Sequence, residues 1–263
     1  MKPSGAQRRW RSYGPPVALI LGLLIAWEVI VTWQAVPRWI LPTPSQIGLA
    51  AWQNSNLLLP HVAQTMKQVM LGLGLAIVAG VGLAAILDMS SWLRRALYPL
   101  LVASQTIPIL ALAPLLIIWF GFGLTPKVFI VTLFCFFPIA INTADGLTAA
   151  DPELLALLRA MGATRQQIWR KVRLPASLPY FFSGLRIAAT YSVVGAIIGE
   201  WVGASQGLGI FMLRSANAFK TDQVFAAIVI SSLLSLALFG LVFIAERLLL
   251  PWYHSNQRES QWG

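Results

Sequence analysis

The sequence is short of the side chains that metal sites and nucleophilic catalysis need. It has one cysteine, Cys135, and two histidines, His61 and His254, in 263 residues. A lone cysteine cannot form an intrachain disulfide, and both histidines lie outside the predicted membrane spans. This residue set argues against a metal site, or a Ser-His or Cys-His nucleophile, within the membrane. We therefore expect no catalytic residue and no metal ligand.

The phosphate-binding pattern GxxxxGK[ST] is also absent. In P-loop ATPases the backbone of that pattern holds the nucleotide phosphates and its lysine contacts them. We therefore expect this chain to bind no cofactor. Any ATP and Mg²⁺ that its work requires would be bound by a partner chain.

Charged residues are scarce at 11%, whereas hydrophobic residues make up 57% and the mean hydropathy is +0.72. This composition predicts an all-α polytopic membrane protein. The net charge of +10 could indicate nucleic acid. The basic residues collect beside apolar segments, however, where the positive-inside rule and anionic lipid account for them. We expect a lipid bilayer as a partner and no nucleic acid.

Six apolar segments are long enough to span a bilayer. They form one predicted transmembrane domain, 15–253, between polar tails at 1–14 and 254–263. The stretch 47–68 is expected to lie along the outer interface. Small residues four apart, at Gly72 to Ala84 and at Gly195 to Gly203, predict close helix packing. The predicted spans are 15–36, 70–87, a segment from about 96 to 120 interrupted by Pro108 and Pro114, 128–145, 180–202 and 224–250.

The distribution of lysine and arginine predicts the orientation of these spans. Fourteen of the 19 basic residues fall on the side that carries both ends of the chain. The other five are Arg38, Lys67, Lys127, Arg214 and Lys220. The positive-inside rule therefore predicts that both termini face the cytoplasm.

A polar, basic segment, 151–179, interrupts the apolar sequence and is called the coupling segment below. Asp151 and Pro152 are typical of a helix start, and Gly162 is typical of a helix end. Thr164 with Gln167 predicts a capping box at the start of a second helix. We expect Pro175 and Pro179 to stop that helix. Leu154, Leu155, Leu158 and Met161 are spaced to share one face of the first helix. They predict a compact helix-turn-helix with an apolar side and a basic side.

The spacing Gly162, nine residues, Val172, one residue, Leu174-Pro175 resembles the G-x9-I-x-L-P core of the EAA loop of bacterial ABC-importer permeases. The resemblance implies a type I importer permease fold, in which this loop docks into an ATPase subunit. Residues 156–158, Ala-Leu-Leu, stand where Glu-Ala-Ala would be expected, so the glutamate's salt bridge is not implied. The residues that the resemblance assigns to ATPase coupling are Glu153, Leu155, Leu158, Arg159, Met161, Gly162, Ala163, Thr164, Val172, Leu174 and Pro175.

The LPTPS connector at 41–45, the six-span order and the turn GASQGLG at 203–209 extend the resemblance over nearly the whole chain. They look like the permeases that import nitrate, sulfonates and taurine. The runs SLPYFFSGLRIAATYSVVGAIIGEW and TIPILALAPLLIIWFGFG look most like the branch for thiamine-precursor pyrimidines. The resemblance implies a homodimer in the bacterial inner membrane, two ATPase subunits and an extracytoplasmic solute-binding protein.

Several polar or glycine positions in the spans are candidates for the solute path or its gate. The prolines of the third span could line a pathway or simply kink the helix. The turn 203–209 could be a gate or a loop that needs glycine for positive φ. For Glu28 and Arg186 we expect a structural role. The candidate pathway and gate residues are Gln105, Thr106, Pro108, Asn142, Glu200, Gly203, Gly207 and Gly209.

Three other interpretations compete with the importer. An ATPase-independent secondary transporter or channel would predict paired ionisable groups within the membrane and a repeat of broken helices. An intramembrane enzyme would need catalytic side chains that the composition hardly offers. The coupling segment could also be an ordinary basic cytoplasmic loop.

Overall fold

The computed structural model describes residues 5–253, with side chains from Gly14 onward. Over that range the chain forms α-helices, one π-helical turn and no β-strand, which confirms the predicted all-α class. The predicted tail 254–263 lies outside the described residues. The helices are α1 Gly5–Trp33, α2 Pro44–Gln53, α3 Ser55–Met89, α4 Ser91–Ser104, α5 Ile109–Phe120, α6 Thr125–Thr148, α7 Pro152–Ala160, α8 Arg165–Ile168, α9 Leu174–Trp201, α10 Leu208–Asn217 and α11 Thr221–Leu249.

Five continuous helical stretches are long and apolar enough to cross a membrane: those containing α1, α3, α6, α9 and α11. The pair α4 and α5 makes a sixth span if it crosses as one, with a bend of 97° between the two helices. The bend falls at residues 105–108, where an interruption at Pro108 was predicted. Pro114, by contrast, lies inside α5, and the helix continues past it.

The second span is longer than predicted. A single helix, α3, runs for 35 residues from Ser55 and includes much of the stretch 47–68 that was expected to lie along the interface. That expectation is wrong because most of the stretch belongs to the same continuous helix that forms the second span. His61, Thr65 and Gln68 are instead buried against the protein, so they do not mark a surface helix.

Pro175 and Pro179 do not stop the helix of the coupling segment. From Arg165 the chain is helical for 37 residues through both prolines to Trp201. The π-helical turn Trp169–Arg173 explains how this is possible, because the Leu174 amide donates to the Trp169 carbonyl five residues back. The wider turn ends immediately before Pro175, which has no amide proton to contribute.

The chain divides into two compact units. The first contains the chain up to Leu59 together with Phe211–Ile230. Its small core contains Ile47, Ala50 and Ala226, with the Trp27 and Phe225 rings edge to face. Glu28 accepts hydrogen bonds from the Ser45 amide at 3.0 Å and from its hydroxyl at 2.7 Å, which ties α1 to the start of α2.

The second unit contains Pro60–Ile210 and the chain from Ser231. Its core lies between α3, α6 and α9 and receives side chains of α11. The predicted small-residue faces make the close contacts. A Cβ built on Gly72 would lie 2.5 Å from Val131, and one on Gly195 would lie 3.0 Å from the Phe134 ring. Both glycine faces therefore pack against α6, as the four-residue spacing predicts.

Candidate functional site

The ends of the two short helices in the coupling segment are formed by local capping. The Asp151 carboxylate accepts from the Glu153 amide at 2.8 Å. Gly162 has a φ of +83°, in the left-handed region that favours glycine. The Thr164 hydroxyl accepts from the Gln167 amide, and the Gln167 side chain accepts from the Thr164 amide at 2.8 Å. The predicted cap, glycine turn and capping box are confirmed.

A small apolar cluster holds the two helices of the coupling segment together. Ala150, Leu155 and Ile168 are buried in it. The half-buried side chains packed against them are those of Leu158, Ala163, Val172 and Ala176. The segment therefore has a core of its own, which gives α7 a fixed position relative to the start of the long helix.

The apolar face of α7 is wider than this core. Leu154, Leu157 and Met161 are 42%, 58% and 74% exposed, although Leu154 and Leu157 directly precede the buried Leu155 and the half-buried Leu158. The predicted inner face is thus confirmed for Leu155 and Leu158 but is wrong for Leu154 and Met161. The three exposed side chains form an uncovered apolar row, called the α7 row below.

The polar residues predicted to couple to an ATPase lie in the same short segment. Glu153, Arg159 and Thr164 are exposed. Leu174 is exposed and Pro175 half-buried in the first turn of α9. Sequence reasoning missed the contact that joins the segment to α3: Arg173 Nη1 lies 2.6 Å from Asp88 Oδ1. The Asp88 side chain is almost fully buried, so this ion pair is a fixed attachment rather than a loose surface contact.

A second polar site, called the turn network below, surrounds the turn 203–209. Glu200 is completely buried. Its Oε2 accepts from the Gly209 amide at 2.7 Å, and its Oε1 accepts from the Thr65 hydroxyl at 2.8 Å. The same hydroxyl accepts from the Leu208 amide at 2.9 Å. The first amides of α10 are thus bound by side chains of α3 and α9, as the positive end of a helix requires.

The turn network also includes close contacts made by His61 and Gly207. His61 Nδ1 lies 2.9 Å from the Gly207 nitrogen and 2.8 Å from its carbonyl oxygen, and the tautomer decides which of them it bonds. A Cβ on Gly207 would collide with the Glu200 carboxylate. Lys127, also buried, interacts electrostatically with the Glu200 carboxylate. Part of the connection between the predicted spans 180–202 and 224–250 is therefore a helix, α10, whose start is held by these bonds.

The other candidate pathway residues lie apart from the turn network. Gln105, Thr106 and Pro108 are exposed at the bend between α4 and α5. Asn142 is half-buried between α6 and α9, and its amide donates to the Pro138 carbonyl of its own helix at 2.8 Å. Gly203 has a φ of +82° and faces Phe122. Their roles in a solute path stay predictions.

Sequence reasoning also missed an ion pair within the spans. Arg186 Nη1 lies 2.7 Å from Glu246 Oε2, and the glutamate side chain is only 4% exposed. Both residues carry charge in otherwise apolar helices. The ion pair joins α9 to α11, and this is a structural contact of the kind expected for Arg186. Across residues 5–253 no three His, Cys, Asp or Glu side chains are grouped as a metal site would need.

Comparison with known proteins identifies the family. Residues 72–251 match the family described as binding-protein-dependent transport system inner membrane component. The formylaminopyrimidine transport permease protein ThiX of Halalkalibacterium halodurans is 41% identical over 90% of this chain and 95% of its own length. The riboflavin transport system permease protein RibX of Chloroflexus aurantiacus is 38% identical over 92% and 91%. The taurine transport system permease protein TauC of Escherichia coli is 30% identical over 89% and 88%.

The fold has a counterpart among solved structures. Inward-facing structures of the MetNI methionine ABC transporter include a chain that aligns with a TM-score of 0.60 at 23% identity. The alignment covers 73% of this chain and 97% of that one. The predicted type I importer permease fold is confirmed. The chain therefore belongs to the family of inner-membrane permease components of binding-protein-dependent ABC importers, as the G-x9-V-x-L-P spacing predicts.

Proposed function

We propose that this permease works as a homodimer whose coupling segments each receive one ATPase subunit. The observation that carries the proposal is the α7 row, in which Leu154, Leu157 and Met161 are exposed beside the left-handed turn at Gly162. A short helix that has its own core and still exposes an apolar row is suited to insertion into a groove on a partner. ATP and Mg²⁺ would be bound by that partner.

The contacts of the segment support the transmission of motion to the spans. The cluster around Leu155 and Ile168 joins α7 to the helix that becomes α9, and the Arg173–Asp88 pair joins it to α3. A displacement of the α7 row would thus move two spans together. We place this surface and both termini in the cytoplasm because the excess of basic residues lies on that side.

For the solute, we propose a small pyrimidine of the thiamine-precursor type, delivered by an extracytoplasmic binding protein. The 41% identity to a formylaminopyrimidine permease supports it, against 30% for a taurine permease. Riboflavin, sulfonate, taurine and nitrate remain the competing solutes, and the riboflavin permease RibX is nearly as similar at 38% identity. Calorimetry on the solute-binding protein that delivers solute to this permease tests the proposal. Tight binding of a formylaminopyrimidine, without binding of taurine or riboflavin, is expected, and the reverse preference would contradict it.

The coupling role is tested by Gly162→Val. A β-branched residue cannot hold a φ of +83° without strain of about 1–3 kcal/mol, so the turn after α7 must move. We expect normal membrane insertion and continued ATP hydrolysis by the assembled transporter, with solute uptake reduced at least about tenfold. Ala156→Val is the matched control, since Ala156 is exposed on α7 and lies roughly 200° around the helix from Leu154.

Uptake by Gly162→Val at the rate of Ala156→Val would remove the coupling role from this turn. Uptake that persists in vesicles without any ATPase would favour the secondary transporter instead. The two results are distinct, because the first concerns one turn and the second the source of energy.

A further inference from the structure

A cavity of about 770 Å³ lies between the end of α3 and the coupling segment. Asp88 and Met89 line it from α3, Arg159 from α7, and Arg165, Trp169 and Arg173 from the helix that follows. Its volume is within the range of roughly 300–1,000 Å³ that small-ligand pockets occupy. The exposed α7 row does not line it, so the cavity is a separate feature of the same segment.

The cavity carries an excess of positive charge. Three guanidinium groups line it, with Asp88 as the only carboxylate, and that carboxylate pairs with Arg173 at 2.6 Å. Among the residues that the structure describes, neither Arg159 nor Arg165 forms an ion pair. Two unpaired guanidinium groups beside one concave surface are suited to an anion with several oxygens, because each can donate two parallel hydrogen bonds.

The position of the cavity indicates which anion is available. The uninterrupted apolar run of α3 extends from Val69 to Leu87, which is 19 residues or about 28 Å of helix. That length matches a hydrocarbon core of about 30 Å, so Asp88 and Met89 fall at the headgroup level. Trp169 is the type of side chain that occurs at that depth. The remaining wall is partly apolar, with Ala85 and Ile168.

We propose that this cavity binds the phosphate group of an anionic phospholipid. Arg159 and Arg165 donate to the phosphate oxygens, while Met89 and Trp169 contact the glycerol and the first methylene groups. The apolar part of the wall favours a lipid over an acidic side chain of a partner protein, because acyl chains offer more hydrocarbon to cover it than the methylene groups of Asp or Glu. The lipid would thus contact the outer side of the coupling segment and α3 at once.

The test measures lipid binding to the full-length chain, purified and delipidated in detergent, by native mass spectrometry. Phosphatidylglycerol and phosphatidylcholine are added in equal amounts. We expect phosphatidylglycerol to be retained at least about tenfold better, and the double variant R159Q/R165Q to lose that preference. R170Q is the matched control, since Arg170 is exposed in the same stretch but does not line the cavity. R159K/R165K should recover part of the preference because the charge returns.

Further results separate the possible ligands. Hydrogen exchange of α7 and α8 shows whether R159Q/R165Q keeps its fold, and an intact fold with phosphatidylglycerol preference unchanged would overturn the proposal. Equal retention of both lipids, or displacement of the lipid by millimolar inorganic phosphate, would do the same. A double variant that binds lipid normally but no longer binds the ATPase subunit would assign the cavity to an acidic partner. Lipid binding needs no ATPase, so failure here leaves the coupling proposal standing.

Discussion

Replacing Thr65 by valine keeps the shape of the side chain and removes the hydroxyl at the centre of the turn network. Two buried groups then lose a partner: the Leu208 amide, which donates to the hydroxyl, and Glu200 Oε1, which accepts from it. Each orphaned buried group costs about 1–3 kcal/mol. Glu200 keeps its bond from the Gly209 amide. We therefore expect the start of α10 to open more easily by about 2–4 kcal/mol.

Hydrogen exchange measures this opening directly. At about 1.4 kcal/mol per factor of ten, amide exchange at residues 207–209 should become about 30- to 700-fold faster in Thr65→Val. Thr190→Val is the control, because the Thr190 hydroxyl bonds only the Arg186 carbonyl of its own helix and is exposed. Exchange at the turn that is unchanged in Thr65→Val, or equally fast in both variants, would refute the view that these bonds hold it closed.

Two further substitutions test the packing of the second unit, with unfolding in detergent as the measurement. Arg186→Met leaves the buried Glu246 carboxylate unpaired and should destabilise the protein by about 3 kcal/mol. Adding Glu246→Leu should restore most of the lost stability. No recovery in the double variant would mean that loss of the ion pair does not cause the destabilisation. Gly184→Ala should lower the free energy of unfolding by about 1–3 kcal/mol, because a Cβ would lie 2.5 Å from the Pro138 carbonyl oxygen. Gly74→Ala is the control and should not destabilise the protein, because a Cβ there would have nothing within 4 Å. Equal effects of the two substitutions would contradict the close contact at Gly184.

The features that the sequence predicted correctly depend on short-range rules. The cap at Asp151, the turn at Gly162 and the capping box at Thr164 each involve partners within three residues or the backbone of one residue. The glycine faces of α3 and α9 follow from helical spacing alone. Such features hardly depend on how the helices pack, so a single sequence is enough to place them.

The features that were missed depend on the rotation and pairing of distant helices. Arg173 and Asp88 are 85 residues apart, and Thr65 and Glu200 are 135 apart. No spacing rule connects such pairs, because which helix faces which is decided by packing of the whole bundle. The same limit explains the error at α3, where the stretch 47–68 was assigned to a membrane surface although His61 and Thr65 in it bond to partners elsewhere in the chain.

The continuous helix from Arg165 to Trp201 restricts insertions and deletions in this part of the sequence. Its 37 residues extend about 55 Å, from the coupling segment to the turn network. Inserting one residue within it would turn everything beyond that point by about 100° and would move the glycine face of α9 away from α6. The number of residues from Arg165 to Trp201 is thus restricted, and we expect relatives to differ in length outside this interval.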